Sequence, residues 1–274
     1  MAKKVLIPLV ILAFLGISVQ AQIKVVPILE LKLNAVLGGV KDGKFVDAVA
    51  TAQDMEGDGS YIVLSNVNAL LGVPVSGYAG KLTAVIPAEQ SDDVCPDFRS
   101  VEVDPKVESG IALGKNGDWD PVPRLVTEIK SDSPLYRKII SEYLVSKGLA
   151  RPTVKIQQIY KVDLEGDGTD EVLIRATNYA DFGPSAKKGD YSFVLVRKLD
   201  RGKVRNIELT GDFIAKDVEF GAPNRHELSA IADLDGDGNM EVVVYGEYYE
   251  GSWAEVFRLK GTEPLKVLET GCGL

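Results

Sequence analysis

The stretch Asp233-Leu234-Asp235-Gly236-Asp237-Gly238-Asn239-Met240-Glu241 runs directly into Val242-Val243-Val244-Tyr245. Counted from Asp233 as position 1, acidic side chains recur at positions 1, 3, 5 and 9, with glycines at 4 and 6. Glycine tolerates the backbone of a sharp turn, so this loop can aim its carboxylates at one point. Left without a counter-charge they would repel one another. A hard cation such as Ca2+ takes six to eight oxygens at about 2.3 to 2.6 Å, and position 7 can add its backbone carbonyl. Magnesium fits less well, because it demands octahedral geometry and keeps its waters.

The pattern occurs earlier as Asp163-Leu164-Glu165-Gly166-Asp167-Gly168-Thr169-Asp170-Glu171, again followed by an apolar run, Val172-Leu173-Ile174. A third, degenerate copy reads Asp54-Met55-Glu56-Gly57-Asp58-Gly59-Ser60-Tyr61-Ile62 and lacks the acid at position 9. An EF-hand needs a bidentate Glu at position 12, where these copies have Ile174 and Val244, and helices on both sides, where they have strand residues. Both complete loops therefore belong between strands.

A strand, an acidic Asp-x-Asp-Gly-Asp-Gly loop and a second strand resemble the calcium loops of FG-GAP and VCBS repeat proteins, the group that includes the integrin α-subunit propeller. The resemblance covers about residues 155 to 270 well, 45 to 65 poorly, and the rest not at all. It implies Ca2+ held by the side chains of Asp163, Glu165, Asp167 and Glu171 with the carbonyl of Thr169. In the later loop it implies Asp233, Asp235, Asp237 and Glu241 with the carbonyl of Asn239. Asp54, Glu56 and Asp58 would form a weak or vestigial site. Departures concern the global architecture: the chain is too short for the usual number of blades, and Phe220-Gly221-Ala222-Pro223 precedes the last loop where the family splits that motif around it.

Residues 1 to 21 read as an export signal, with Lys3 and Lys4, an apolar run over 5 to 19, and Val19-Gln20-Ala21 as the cleavage site. The apolar run is short for a membrane span, so no stable span is expected after its removal. Its loss makes the remainder two units more negative than the formal −9 of the whole. That charge argues against a nucleic-acid partner and suits cation binding. The only cysteines, Cys95 and Cys272, are expected to pair in an extracytoplasmic (periplasmic or secreted) compartment.

The expected organisation is a β-rich region over 22–124, a linker and helix over 125–153, and two calcium-loop repeats over 154–274. In the first region Asp42-Gly43 marks a hairpin, strands follow at 61–64, 70–73 and 81–87, and 104–124 reads as a connecting segment. The helix spans 133 to 148, with Ser133 as cap, Pro134 at the first position and Gly148 at the exit; Tyr136, Ile139, Ile140, Tyr143 and Leu144 share a face that should cover a sheet. Each repeat reads as a four-stranded meander with its acidic loop between the first two strands. The fold class is thus mainly β, made of four-stranded meander repeats, β-propeller-like or sandwich-like, with one amphipathic helix.

Outside the loops, Gly246-Glu247-Tyr248-Tyr249-Glu250-Gly251-Ser252-Trp253 concentrates aromatics and carboxylates. It reads as a hairpin with cross-strand aromatic pairs, and Tyr248, Tyr249 and Trp253 are candidates for a contact surface. His226 is the only histidine, and there is no Gly-x-Ser-x-Gly elbow or phosphate-binding loop. The expectation is a non-catalytic binding or adhesion scaffold with a protein or glycan ligand. The alternative is an extracytoplasmic hydrolase acting on glycans through Glu247 and Glu250, with calcium structural.

Overall fold

The computed structural model describes residues 24–55, 61–64, 81–85, 94–104, 107, 109–179 and 183–273. The export signal, the segment 70–73, and Glu56 and Asp58 of the degenerate loop lie outside them. Over the described residues the fold is mainly β, built from three antiparallel sheets, a two-stranded ribbon and two helices.

Strands Val26–Glu30 (β1), Ala35–Lys41 (β2) and Lys44–Val46 (β3) form the opening meander. Asp42 and Gly43 turn β2 into β3 with φ of 55° and 67°, the left-handed pair a two-residue hairpin requires. The helix Ala48–Asp54 (α1) follows, capped by Asp47, whose carboxylate accepts the Ala50 N–H at 2.8 Å. Tyr61–Leu64 (β4), Lys81–Val85 (β5), Val101–Asp104 (β6) and Ile111–Gly114 (β7) complete this part, in a sheet of order β3-β2-β1-β7-β4 with β5-β6 as the separate ribbon.

Two expectations change here. The chain has a second helix, α1: the run Ala48-Val49-Ala50-Thr51-Ala52 behind an Asp cap suits a helix, but seven residues are too few to show a clear 3.6-residue period. Asp54, read as the first residue of a degenerate loop, is the last residue of that helix, and its carboxylate is held by Lys41 at 2.7 Å. The stretch 104–124 also contains β7, which sits between β1 and β4. Four residues framed by turn signals carry too little alternation to announce a strand.

Thr127–Glu128 (β8) and the helix Pro134–Ser146 (α2) lead into the first repeat: Ile156–Val162 (β9), Glu171–Thr177 (β10), Tyr191–Asp200 (β11) and Lys203–Phe213 (β12). The second repeat is Arg225–Ala232 (β13), Glu241–Tyr248 (β14), Gly251–Lys260 (β15) and Glu263–Gly273 (β16). Both are antiparallel meanders in chain order, and β8 adds a fifth strand to the first by pairing with β9. Pro134 opens α2 and Gly148, with φ of 89°, follows its end, whereas the Ser133 side chain makes no capping hydrogen bond.

The sheets stack, and the alternation along each strand shows how. On β14, Val242 and Val244 join a core with Tyr160, Leu173, Val194 and Ile207 of the first repeat, whereas Val243 joins one with Ile28, Leu37 and Ile111 of the N-terminal sheet. The second repeat is therefore the middle slab, buried on both faces, which explains its unbroken apolar run. Its close fit to the N-terminal sheet shows at Gly38 of β2, where an added Cβ would lie 2.7 Å from the Leu268 side chain. α2 covers the outer face of the first repeat through Ile140, Tyr143 and Leu144. α1 covers the outer face of the N-terminal sheet through Ala48. Each fully buried leucine or isoleucine in these layers contributes about 1.5 to 3 kcal/mol relative to exposure.

Cys95 and Cys272 form a disulfide, with Cα atoms 5.5 Å apart, fastening the chain before β6 to β16. Such bonds persist in oxidising, non-cytoplasmic surroundings. Among the described residues no helix is long and apolar enough to cross a membrane.

Candidate metal centre

The two acidic loops join β9 to β10 and β13 to β14, and both fold around their first aspartate. Asp233 accepts the Gly236 N–H at 2.7 Å on one carboxylate oxygen and the Gly238 N–H at 2.9 Å on the other. Asp163 does the same for Gly166 at 2.7 Å and Gly168 at 2.9 Å. Position 9 closes each loop from behind: Glu241 accepts the Leu234 N–H and Glu171 the Leu164 N–H, each at 2.9 Å. Glycines 166, 168, 236 and 238 all have positive φ, between 71° and 88°. The sequence repeat is a structural repeat in these bonds, although the position-5 amide turns to Asp163 in the earlier loop and to Asp235 in the later one.

The loops differ in what their carboxylates face. In the later one, oxygens of Asp233, Asp235 and Asp237 all lie within 4.8 Å of one another, the only such trio among the described residues. Asp233 and Asp235 are buried, and Glu241 is fully buried. Burial pushes the Glu241 carboxyl up to about 7, against the Leu234 N–H and the Arg258 guanidinium, which pull it down. It also raises Asp233. Each carboxylate oxygen has two lone pairs, so those engaged with backbone N–H groups can still coordinate. Three converging aspartates with a Glu behind them fit a hard divalent cation, but the donor set alone does not distinguish calcium.

The earlier loop is more open, and its position 3 carries the longer Glu165. That side chain turns to Lys198 on β11, whose ammonium also lies 3.8 Å from Glu171. Asp167 instead accepts the Thr169 N–H at 2.8 Å, as Asp237 does from Asn239 at 2.8 Å. The residues implied as ligands are thus brought to one place in the later loop, while in the earlier one Glu165 is drawn off.

Four residues at these loops gave no sign of it in the sequence. Arg124 donates to the carbonyls of Asp163, Leu164 (3.0 Å) and Gly238 (2.5 Å), clamping both loops from the linker. Trp119 lies across Gly236 and donates its indole N–H to the Asp233 carbonyl at 2.9 Å. The loops also touch directly, through Met240 N–H to the Leu164 carbonyl at 2.8 Å. Lys198 and Arg258 come from the third strand of each meander. Arg258 reaches Asp235 at 2.7 Å, Asp237 at 3.0 Å and Glu241 at 2.6 Å. Burial works against its charge, but the bonds to Asp235 and Glu241 hold the guanidinium above its usual value. The cross-strand register that sets Lys198 opposite Glu171 and Arg258 opposite Glu241 becomes visible only with the strand ladder.

The aromatic segment forms the β14–β15 hairpin, with Tyr249 and Glu250 at its tip. Trp253 lies over Gly246, where a Cβ would come within 2.3 Å of the indole, and edge-on to His226. Trp253 and Tyr248 line a cavity of about 390 Å³ beside the disulfide. Trp253 also borders a second, of about 740 Å³, with Asp47, Asp97 and Glu269 on its walls. Glu247 accepts from the Tyr245 hydroxyl at 2.9 Å and pairs with Arg225 at 3.6 Å. Neither Glu247 nor Glu250 lines these cavities.

Compared with known proteins, the chain matches no family model, no curated protein and no solved structure.

Proposed function

We propose that this chain is an exported β-repeat scaffold of the FG-GAP/VCBS kind, stabilised by calcium in its acidic loops, that binds a partner and carries out no catalysis of its own. The observation that carries the reading is the convergence of Asp233, Asp235 and Asp237 in a loop joining two strands of a stacked meander. In that role the ion would sit among Asp233, Asp235, Asp237 and Glu241 and fix the turn, and with it the strand register. The three-layer stack, in which the second repeat packs between the N-terminal sheet and the first repeat, supports a propeller-like or sandwich-like arrangement of sheets. For the contact surface, Trp253 and Tyr248 beside two cavities are the best-supported place for a glycan or peptide. The hydrolase alternative has less support, because Glu247 is engaged with Tyr245 and Arg225 away from those cavities.

The test is a thermal melt of residues 22–274 in millimolar calcium and in chelator, for the native chain and for Asp237→Asn. Asp237 is exposed and its Asn replacement keeps an oxygen for the Asn239 N–H, so the loop should still fold. With a site of about 0.1 mM affinity, millimolar calcium adds roughly 1.4 kcal/mol by mass action. A calcium-dependent rise that Asp237→Asn diminishes supports the reading. A native chain that melts identically in both conditions sinks it.

A further inference from the structure

In both repeats the same cross-strand position carries a fixed positive charge. Strand pairing matches Val172 with Arg197 and Val242 with Phe257. One step on, the Glu that closes each acidic loop faces a basic residue: Glu171 faces Lys198, and Glu241 faces Arg258. These positions are register equivalents although the chain between loop and base is ten residues longer in the first repeat, the difference lying in its β10–β11 connection. The two bases also do the same thing. Lys198 engages Glu165 and approaches Glu171. Arg258 holds Asp235, Asp237 and Glu241 together, with two nitrogens on Glu241 at 2.8 and 2.6 Å.

We propose that Lys198 and Arg258 are tethered counter-cations of the acidic loops, which close the loops without metal and which a divalent ion must displace in order to bind. The inference rests on the calcium reading for the incoming ion but not for the closed state. Three of the carboxylates on which a metal would draw, at positions 3, 5 and 9, are those that Arg258 holds. An ion bound to these oxygens would lie close to the Arg258 guanidinium, whose like charge repels it and competes for the same carboxylates. The chain therefore exchanges one cation for another rather than filling an empty cage, which lowers its affinity for the ion and removes the metal requirement from folding. Arg258 offers the ion a further readout. Its guanidinium also lies over the Phe45 ring of β3, 5.3 Å from the centroid, so its displacement alters a contact between the middle slab and the N-terminal sheet. Metal occupancy and the packing of β3 are coupled through this one side chain.

The experiment is isothermal titration of calcium into residues 22–274, for the native chain, Arg258→Gln, Lys198→Gln and the charge-keeping Arg258→Lys, each checked for native near-UV circular dichroism. Melts in chelator accompany each titration. The expected result is a tenfold or greater fall in Kd at one site for Arg258→Gln, a smaller fall for Arg258→Lys, and a lower Tm than native in chelator for both. Lys198→Gln should tighten the other site in the same way. If Arg258→Gln does not fold, Arg258→Lys and Lys198→Gln decide by the same criterion. Native and substituted chains binding calcium with equal affinity would overturn the displacement while leaving the calcium reading intact. Binding by the substituted chains alone would uphold the displacement and refute calcium as a ligand of the native protein. Binding by none would overturn both.

Discussion

The two repeats share a backbone and diverge in their surroundings. In both loops the first aspartate accepts the N–H groups of positions 4 and 6, and both are closed by a buried Glu. The later loop sits in a slab buried on both faces and gathers Asp233, Asp235 and Asp237 around one point; the earlier belongs to an outer sheet, and its Glu165 leaves the group for Lys198. The difference teaches that nine residues specify the turn, whereas the charge around it is settled by the facing strand. One methylene at position 3 and lysine in place of arginine across the ladder go with this separation of two loops that share six of nine residues.

That contrast can be tested by paired substitutions in chelator. The largest effect is expected at position 9. Glu241→Ala leaves the buried Leu234 N–H without an acceptor and takes two bonds from Arg258, a loss of about 3 kcal/mol; Glu171→Ala, where Lys198 keeps Glu165, should lose about 2 kcal/mol. Equal shifts in urea midpoint for the two variants would erase the distinction.

Next comes a pH dependence that only the later repeat should show. His226 stands where the earlier repeat has Ile156, opposite Gly246 as Ile156 is opposite Ala176. Burial, reinforced by Arg175, pushes the imidazole down to about 4. A group depressed from about 6.5 contributes stability that is complete above the unfolded value and is lost as pH falls through the folded one, here over pH 6.5 to 4, by about 3 kcal/mol at most. Urea unfolding at pH 7 and pH 4 should show His226→Gln losing less stability on acidification than the native chain. A parallel pH profile for the two would show that His226 does not titrate in this window.

Arg124→Ala should cost about 2 kcal/mol, because it removes donors from carbonyls of both loops at once. Hydrogen exchange at Met240, whose amide bridges the loops, is the sharper readout, and unchanged protection there would mean that the loops hold each other without the clamp. The smallest contrast lies at position 4. Alanine in place of Gly236 or Gly166 meets the left-handed strain of about 1 to 2 kcal/mol in either loop. At Gly236 it also meets the Trp119 ring at 2.8 Å, whereas at Gly166 the nearest atom is a guanidinium nitrogen of Arg124 at 3.0 Å. Gly236→Ala should therefore be the worse by about 1 kcal/mol in a thermal melt.

Local features were the legible ones. The Asp42-Gly43 hairpin, the α2 stripe, both meanders and both loops follow from turn chemistry and periodicity within a few residues of each element. The Cys95–Cys272 bond followed from there being one pair to make. Short elements escaped: α1 and β7 are fixed by a single cap or by neighbouring strands, not by a period of their own. The non-local partners of the loops escaped too. Arg124 and Trp119 arrive from a linker that reads as plain connection, and Arg258 and Lys198 become partners only once the strand ladder sets which residue faces the closing Glu. Nothing in a sequence announces that a basic residue some seventeen or more positions away points back into an acidic turn.

The middle position of the second repeat has a consequence for biogenesis. β13 to β16 are made after both of the sheets that they separate, so the ribosome releases two apolar faces before the slab that will fill the gap between them. During that interval the N-terminal sheet and the first repeat can bury those faces only against each other or against a neighbouring chain, a state open to aggregation. Closure of the stack waits for the arrival of β14 with its valines. Cys272 emerges later still, so the covalent tie to Cys95 can form only once the last strand has been made.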